Sequence, residues 1–420
     1  MISSKVQKSS QLGNDFGKLW AASSLSAIGD GVTQIAGALL VVTITSDPVL
    51  VAGLLIAQTL PWILFALPGG VFVDRFDRRR IMIGASVIRA FAVGLLAVTI
   101  LTETVNLPLL YGTFFLVGCA GSMFDNASTT TLPFLVERSN LERANGRFQA
   151  TKVVGEQLLA RPVGGFLFAL TAWVPYVVDA VGLAVIAVIA YTLPKPKDKI
   201  VSDPQPLKIR QSITEGMRWL LGHRVVRTLT LTVGLSNIGL GAVFSILVLV
   251  ANERLGVGPI GYGFLLASAA IGGVAGGIGA SKIVSLLGSG VTLRVGLLIE
   301  IVSYVGLIYA RSIVAVVLIL IVFSMHLAVF ATVGASLRQS LVPSDLLGRV
   351  HSAYRLIGTA GMLAGATLGG VLSKYFGLSA PFWLGLFCSS IFTALVWRTF
   401  NNQTIADARS AAHERDSGRN

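Results

Sequence analysis

Charge is scarce in this chain. Only 13% of its 420 residues are Asp, Glu, Lys or Arg, and 54% are hydrophobic, whereas a soluble protein carries about 25% charged residues. That deficit excludes an ordinary water-soluble domain. Acid is scarcer than base, at 20 against 33 residues, which leaves a net charge of +13. Cysteine is almost missing: Cys119 and Cys388 both fall inside apolar runs and read as small buried residues, not as a disulfide or a metal site. There are four histidines and no H-E-x-x-H pair, so no metal is expected. No G-x-S-x-G occurs. The nearest approach to a phosphate-binding loop, Gly13 to Gly17-Lys18-Leu19, is one residue short and lacks the hydroxyl. Catalytic residues and cofactors are therefore not expected, and neither an ATP-driven pump nor an intramembrane hydrolase fits. The polar start, Met1 to Gly17, has no apolar core of its own, and the first apolar run is full length, so no cleaved signal peptide is expected.

What the chain does have is glycine, 46 residues of it, and long apolar runs. A hydrocarbon core about 30 Å thick needs about twenty helical residues to cross it, and glycine lets helices approach closely in lipid. Twelve such runs are readable, at about 19–45, 50–73, 81–102, 107–128, 148–169, 174–193, 229–251, 261–281, 292–310, 313–335, 356–373 and 379–398, with ends uncertain by about 2–4 residues. The N-terminus and the turns after even-numbered spans hold 24 of the 33 Lys and Arg, and the tail from Arg398 holds four more. The opposite side has only Arg254, Arg311 and Lys374. This asymmetry puts both termini in the cytoplasm. It also accounts for the positive charge as topogenic, so no nucleic-acid partner is expected. The expected fold is all-α and polytopic: twelve transmembrane helices in two pseudo-symmetric six-helix bundles.

The expected divisions are a cytoplasmic N-terminus over 1–18, a first bundle over 19–193, a cytoplasmic linker over 194–228, a second bundle over 229–398 and a cytoplasmic tail over 399–420. The linker carries Ile213, Met217, Leu220 and Leu221 at helical spacing, which predicts a short amphipathic helix lying on the membrane interface and stopping near Gly222. The tail after Asn401 is polar and is expected to be disordered. An internal repeat supports the two halves. Leu135-Val136, Leu141, Arg143, Gly155, Ala160 and Gly164 recur at a constant offset of 206 as Leu341-Val342, Leu347, Arg349, Gly361, Ala366 and Gly370. Ser139 to Glu142 reads as a capping box in the first copy, and Ser344 and Asp345 offer an N-cap in the second.

The turn between the second and third spans is intensely basic. Gly70, Asp74, Arg75, Arg78 and Arg79 spell G-x-x-x-D-R-x-x-R-R, which resembles the signature loop of the major facilitator superfamily of secondary transporters; Asp77 departs from the usual pattern, which has Gly there. Leu25 to Gly31, Phe124 to Ala127, Ala144 to Arg147 and Pro175 to Ala180 are similar, more narrowly, to the exporter branch that includes enterobactin exporters and macrolide efflux proteins. The resemblance implies a conformational latch of Gly70, Asp74, Arg75, Arg78, Arg79 and Asp125, with Asp74 near a helix start around Tyr354 to Leu356 and Arg78 paired with Asp125. It also implies a central cavity near Asp30, Asn237 and His326. It implies a small-molecule substrate and protons as partners, a lipid bilayer and a monomer, in the inner (cytoplasmic) membrane.

Charges inside spans are costly unless paired or wet. Asp30 and Arg161 both fall near the bilayer midplane, and they are expected to face each other, either as a proton-coupling pair or as a static tie. Arg89 is expected to snorkel to the cytoplasmic interface, Asp179 to be hydrated near the outer face, and Glu156 to pair with Lys152 along the helix. Glu300, with no obvious partner, is either packed or functional; His326 is either a packing residue or a proton relay. The functional expectation is an exporter of small amphiphilic molecules, of drug or siderophore class, driven by proton antiport. An uptake carrier, a lysophospholipid flippase or a non-transporting receptor or scaffold on the same fold stay open as alternatives.

Overall fold

A computed structural model describes residues 12–65, 73, 76–194, 209–343 and 346–417. Gly70, Asp74 and Arg75 of the basic turn lie outside the described residues, as do Ser344 and Asp345. Among the described residues every regular element is a helix. They are α1 Asn14–Ile44, α2 Pro48–Phe65, α3 Arg78–Leu101, α4 Leu107–Leu135, α5 Leu141–Leu170 and α6 Val174–Tyr191. After the linker come α7 Ile209–Gly222, α8 Arg224–Arg254, α9 Pro259–Tyr309, α10 Ile313–Leu341, α11 Leu347–Phe376, α12 Ala380–Val396 and α13 Asn402–Ser417. Ten of them are long and apolar enough to cross a bilayer. One of the ten, α9, has 51 residues and is broken at Gly288, where φ is +78°, a backbone conformation that suits glycine. The shorter α12 is also apolar.

Local sequence sets the ends. Asn106 and Ser312 cap α4 and α10 by accepting the backbone N–H of Leu109 and Ala315, at 3.0 and 3.2 Å. Asp77, the departure from the superfamily loop, is the N-cap of α3 and accepts from the Arg79 N–H at 2.9 Å. In the first repeat copy the cap position is Asn140, after a 3-10 turn Arg138–Asn140, so Ser139 does not start a capping box. The 206-residue offset is kept in the helices themselves. Both ends of α4 (29 residues) and α5 (30 residues) map by it onto both ends of α10 and α11.

The chain forms two compact units. The first is Met1–Ile44, Ala57–Pro204 and Pro259–Phe264; the second is Thr45–Ile56, Gln205–Gly258 and Leu265–Asn420. In the first, α1 packs on α5 and α6, and α3 on α4 and α6. In the second, α8 packs on α11 and α12, the repeat-related arrangement. Gly361, Gly365 and Gly369 form a stripe on α11, and a β-carbon on any of them would strike the carbonyls of Gly234, Ile238 and Ala242 on α8. The two backbones therefore touch, the small-residue packing that lipid-embedded helices use. Outward faces stay apolar. Along α3, Ile88, Phe91, Leu95 and Val98 are exposed while Arg89, Val93 and Leu96 are buried; in water such a surface would drive association, whereas acyl chains cover it without cost.

One expectation is corrected here. The tail is a helix, α13, because Asn402 takes the place of a cap at the break in α9: its Oδ1 accepts from the N–H groups of Gly290 and Val291, and its Nδ2 donates to the Leu287 carbonyl. Ile405 and Ala412 are then buried with the second unit's core. The linker helix α7 ends at Gly222, with Leu220 buried in that same core and Glu215 paired with Arg349 of α11 at 2.5 Å.

Between α1 and α2, Asp47 accepts from Lys374 Nζ at 2.6 Å. That hydrogen bond holds the Asp47 carboxyl below the usual carboxylate range. A lowered folded-state pKa gives stability that is present at neutral pH and lost as the pH falls through the lowered value. Both side chains are partly solvated, so the contribution is small. Lys374→Gln is expected to leave the neutral-pH melting temperature nearly unchanged while flattening the acid limb of a melting-versus-pH series; an unaltered acid limb would refute the coupling.

Candidate functional site

The first unit encloses a cavity of about 460 Å³ between α1, α2, α4 and α5. Its wall mixes Trp20, Trp62 and Phe114 with three carboxyl side chains, Asp30, Asp125 and Glu156, and the ammonium of Lys152. Two local features place these groups. Gly31 and Gly164 bring the α1 and α5 backbones into contact, at the Glu156 and Val32 carbonyls. The middle of α5, Lys152–Leu159, is a π-helix, a wider turn that recurs at functional sites; Lys152 and Glu156 both stand on it. Trp20 is fixed by donating from Nε1 to Thr151 Oγ1 at 2.9 Å.

Arg89 lies behind this wall. It is fully buried, and donates to Ser26 Oγ at 2.9 Å and to the Asp30 carboxylate. Asp30 itself is 32% exposed on its side chain, so one carboxylate touches both the buried guanidinium and the cavity. Asp179 is the second acid near Arg89. It is buried, accepts from Thr33 Oγ1 at 2.7 Å, and fills the space beside Gly29. The burial of one guanidinium is thus offset by two carboxylates and a hydroxyl.

This geometry revises several expected pairs. Asp30 does not meet Arg161; Arg89 takes its carboxylate, and Arg161 interacts instead with Glu156 and Tyr262. Arg89 does not snorkel, and Asp179 is not hydrated, because each buries against the other's network. Asp125 pairs with Lys152 at 2.7 Å, not with Arg78. Arg78 donates to the Thr130 carbonyl at 3.3 Å and covers the Phe134 ring. Arg79 donates to the Tyr191 carbonyl and lies over the Tyr191 ring. The two bases therefore tie the start of α3 to the ends of α4 and α6, where helix carbonyls attract cations. In the second unit, Asn237 donates to the Gly358 carbonyl at 2.9 Å, an α8–α11 tie. Glu300 and His326, read separately in the sequence, stand together, with His326 Nε2 at 3.7 Å from the carboxylate. Sequence reasoning missed Lys152 as a partner of Asp125 and passed over Ser26 and Thr33.

Comparison with known proteins agrees with this architecture. The profile of a family described as transmembrane secretion effectors matches residues 11–415. The multidrug efflux pump Tap of Mycobacterium tuberculosis is 26% identical over 390 residues, 89% of this chain and 90% of Tap. The enterobactin exporter EntS of Escherichia coli is 26% identical over 318 residues, 72% of each chain. The crystal structure of the nucleoside transporter NupG superposes with a TM-score of 0.70 at 12% identity, covering 92% of this chain and 98% of NupG; that likeness is one of fold alone. A multi-pass helical membrane protein whose profile match spans nearly its whole length, the chain belongs to the transmembrane secretion effector family of the major facilitator superfamily, a family of transporters and not of enzymes.

Proposed function

We propose that the chain is a secondary active exporter of small amphiphilic molecules, working by alternating access and driven by proton antiport. The carrying observation is the cavity of the first unit, where three carboxylates and one ammonium stand among aromatic rings. Such a wall suits a molecule with a flat apolar body and a positive charge. The names of Tap and EntS support the outward direction. On this reading the helices make twelve spans in two six-helix bundles, with α9 counted twice across Gly288 and α12 as the last. The linker, both termini and the basic turn face the cytoplasm, in a monomer of the inner membrane.

Asp30 is the proton-coupling acid in this proposal. It is bound to Arg89 on one side and open to the cavity on the other, so a proton or a cationic substrate can take the guanidinium's place at its carboxylate. The basic turn, with Gly70, Asp74 and Arg75, acts as the latch that the superfamily motif implies, and Arg78 and Arg79 anchor it to α4 and α6.

The test is accumulation of a fluorescent cationic amphiphile, ethidium, in cells stripped of their own efflux pumps. Expression should lower accumulation several-fold, and Asp30→Asn at equal membrane abundance should abolish the difference. Equal accumulation with and without the wild-type protein would reject export of this class. Higher accumulation would instead mark an uptake carrier.

A further inference from the structure

The second unit holds a titratable pair that lies away from the cavity. Glu300 sits on α9 and is only 3% exposed. A carboxyl group at that depth is costly unless it is neutral or matched by a cation. Its partners come from three other helices. Ser236 Oγ of α8 donates to Oε2 at 3.2 Å, and Ser389 Oγ of α12 donates to Oε1 at 2.8 Å. His326 Nε2 of α10 stands 3.7 Å from Oε2. Among the described residues, no Lys or Arg lies within ion-pair distance of Glu300, and His326 is its one candidate cation. The remaining titratable neighbours are Tyr304, one turn along α9, and Cys388 of α12.

His326 is as enclosed as its partner. Its ring packs edge-on against Phe323 with centroids 5.1 Å apart, and Phe323 packs in turn on Tyr304. Its Nδ1 and the Tyr304 hydroxyl are buried, with no hydrogen-bond partner among the described residues. Two serine hydroxyls solvate an ionised carboxylate but leave its charge in place. A neutral imidazole adds nothing to them. The arrangement balances only with one extra proton, which sits either on the carboxyl or on the imidazole; in both cases the pair is neutral as a whole. Removing that proton leaves a bare carboxylate in the membrane interior. The proton then has two acceptors that face each other across a single gap of 3.7 Å.

We propose that Glu300 and His326 form a second protonation site, which holds one proton between them and discharges and recharges it as the transporter turns over. The bonds that change are one O–H or N–H bond, broken as the proton leaves to water and re-formed when it returns; no other bond is made or broken. The site lies in a different unit from Asp30, so it adds to the proton coupling proposed above. Its existence does not depend on that coupling.

The test uses the full chain in lipid vesicles. Infrared spectra are recorded from mildly acidic to mildly alkaline pH, and the wild-type spectrum is compared with those of Glu300→Gln and His326→Gln. One proton equivalent should appear at neutral pH as a carboxylic C=O band or an imidazolium band that Glu300→Gln removes. In His326→Gln it should appear wholly as the carboxylic band. An ionised Glu300 beside a neutral His326 across the range, or a band that follows sodium in place of pH, overturns the site. Glu300→Gln keeps a side chain able to meet Ser236 and Ser389, His326→Gln leaves Glu300 itself to do so, and melting temperature reports whether either variant has merely unfolded. Ethidium-driven proton flux in the same vesicles then counts protons per substrate. The ratio should fall by one in Glu300→Gln with Asp30 intact. An unchanged ratio, or no wild-type proton flux at all, overturns discharge during turnover; in the latter case a positive spectrum shows that the antiport reading has failed and the protonation site has not.

Discussion

Arg89→Met should be the most damaging single substitution in the first unit, costing about 3–5 kcal/mol, the usual range when one member of a buried charge set is removed. The loss is large because Arg89 faces two acids. Without its guanidinium, Asp30 keeps only Ser26 and whatever water the cavity supplies, while Asp179 keeps only Thr33. Methionine fills most of the volume, so the cost is electrostatic and not a packing void. The measurement is thermal unfolding in detergent or lipid, together with the amount of protein in the membrane. Arg89→Met combined with Asp30→Asn should recover part of the loss, and adding Asp179→Asn should recover more. If Arg89→Met melts with the wild type, the residue is hydrated or faces headgroups, and the buried network is wrong.

Gly365→Leu should separate α8 from α11. The side chain would have to occupy the place of the Ile238 carbonyl, which belongs to backbone and cannot rotate away. Overpacking of this kind costs about 1–3 kcal/mol where side chains can yield, and more is expected where they cannot. Even Gly365→Ala should destabilise. Gly277→Ala on α9 is the control, since nothing lies within 4 Å of the added methyl and alanine favours helix over glycine by about 1 kcal/mol. Opposite signs for the two alanine variants in melting temperature would confirm the contact; the same sign for both would dispose of it.

The helices were readable before the structure because lipid imposes a length, a composition and a charge bias that a single sequence displays. Their ends were less readable: the runs read as ending near 128 and 335 continue as helix to Leu135 and Leu341. The ion pairs were not readable. Depth along a span follows from residue count, and it put Asp30 and Arg161 near the midplane and Arg89 nearer the cytoplasmic end. Which of them touch depends on rotation about each helix axis and on which helices are neighbours, and neither is written in hydropathy. The π-helical stretch of α5 adds an irregularity that a uniform helical wheel cannot follow, and it carries Lys152 to Asp125. The helical tail was missed for a related reason. Its composition is polar throughout, and what orders it is a long-range cap from Asn402 to a helix break far back in the sequence.

The exchange of short segments between the two units has a consequence for any attempt to dissect the protein. A cut in the linker would seem to release two self-sufficient halves. The halves would not coincide with the units, because the first half carries off Thr45–Ile56, which groups with the second unit, and the second half carries off Pro259–Phe264, which groups with the first. Each fragment would be missing a helix end that only the other can supply.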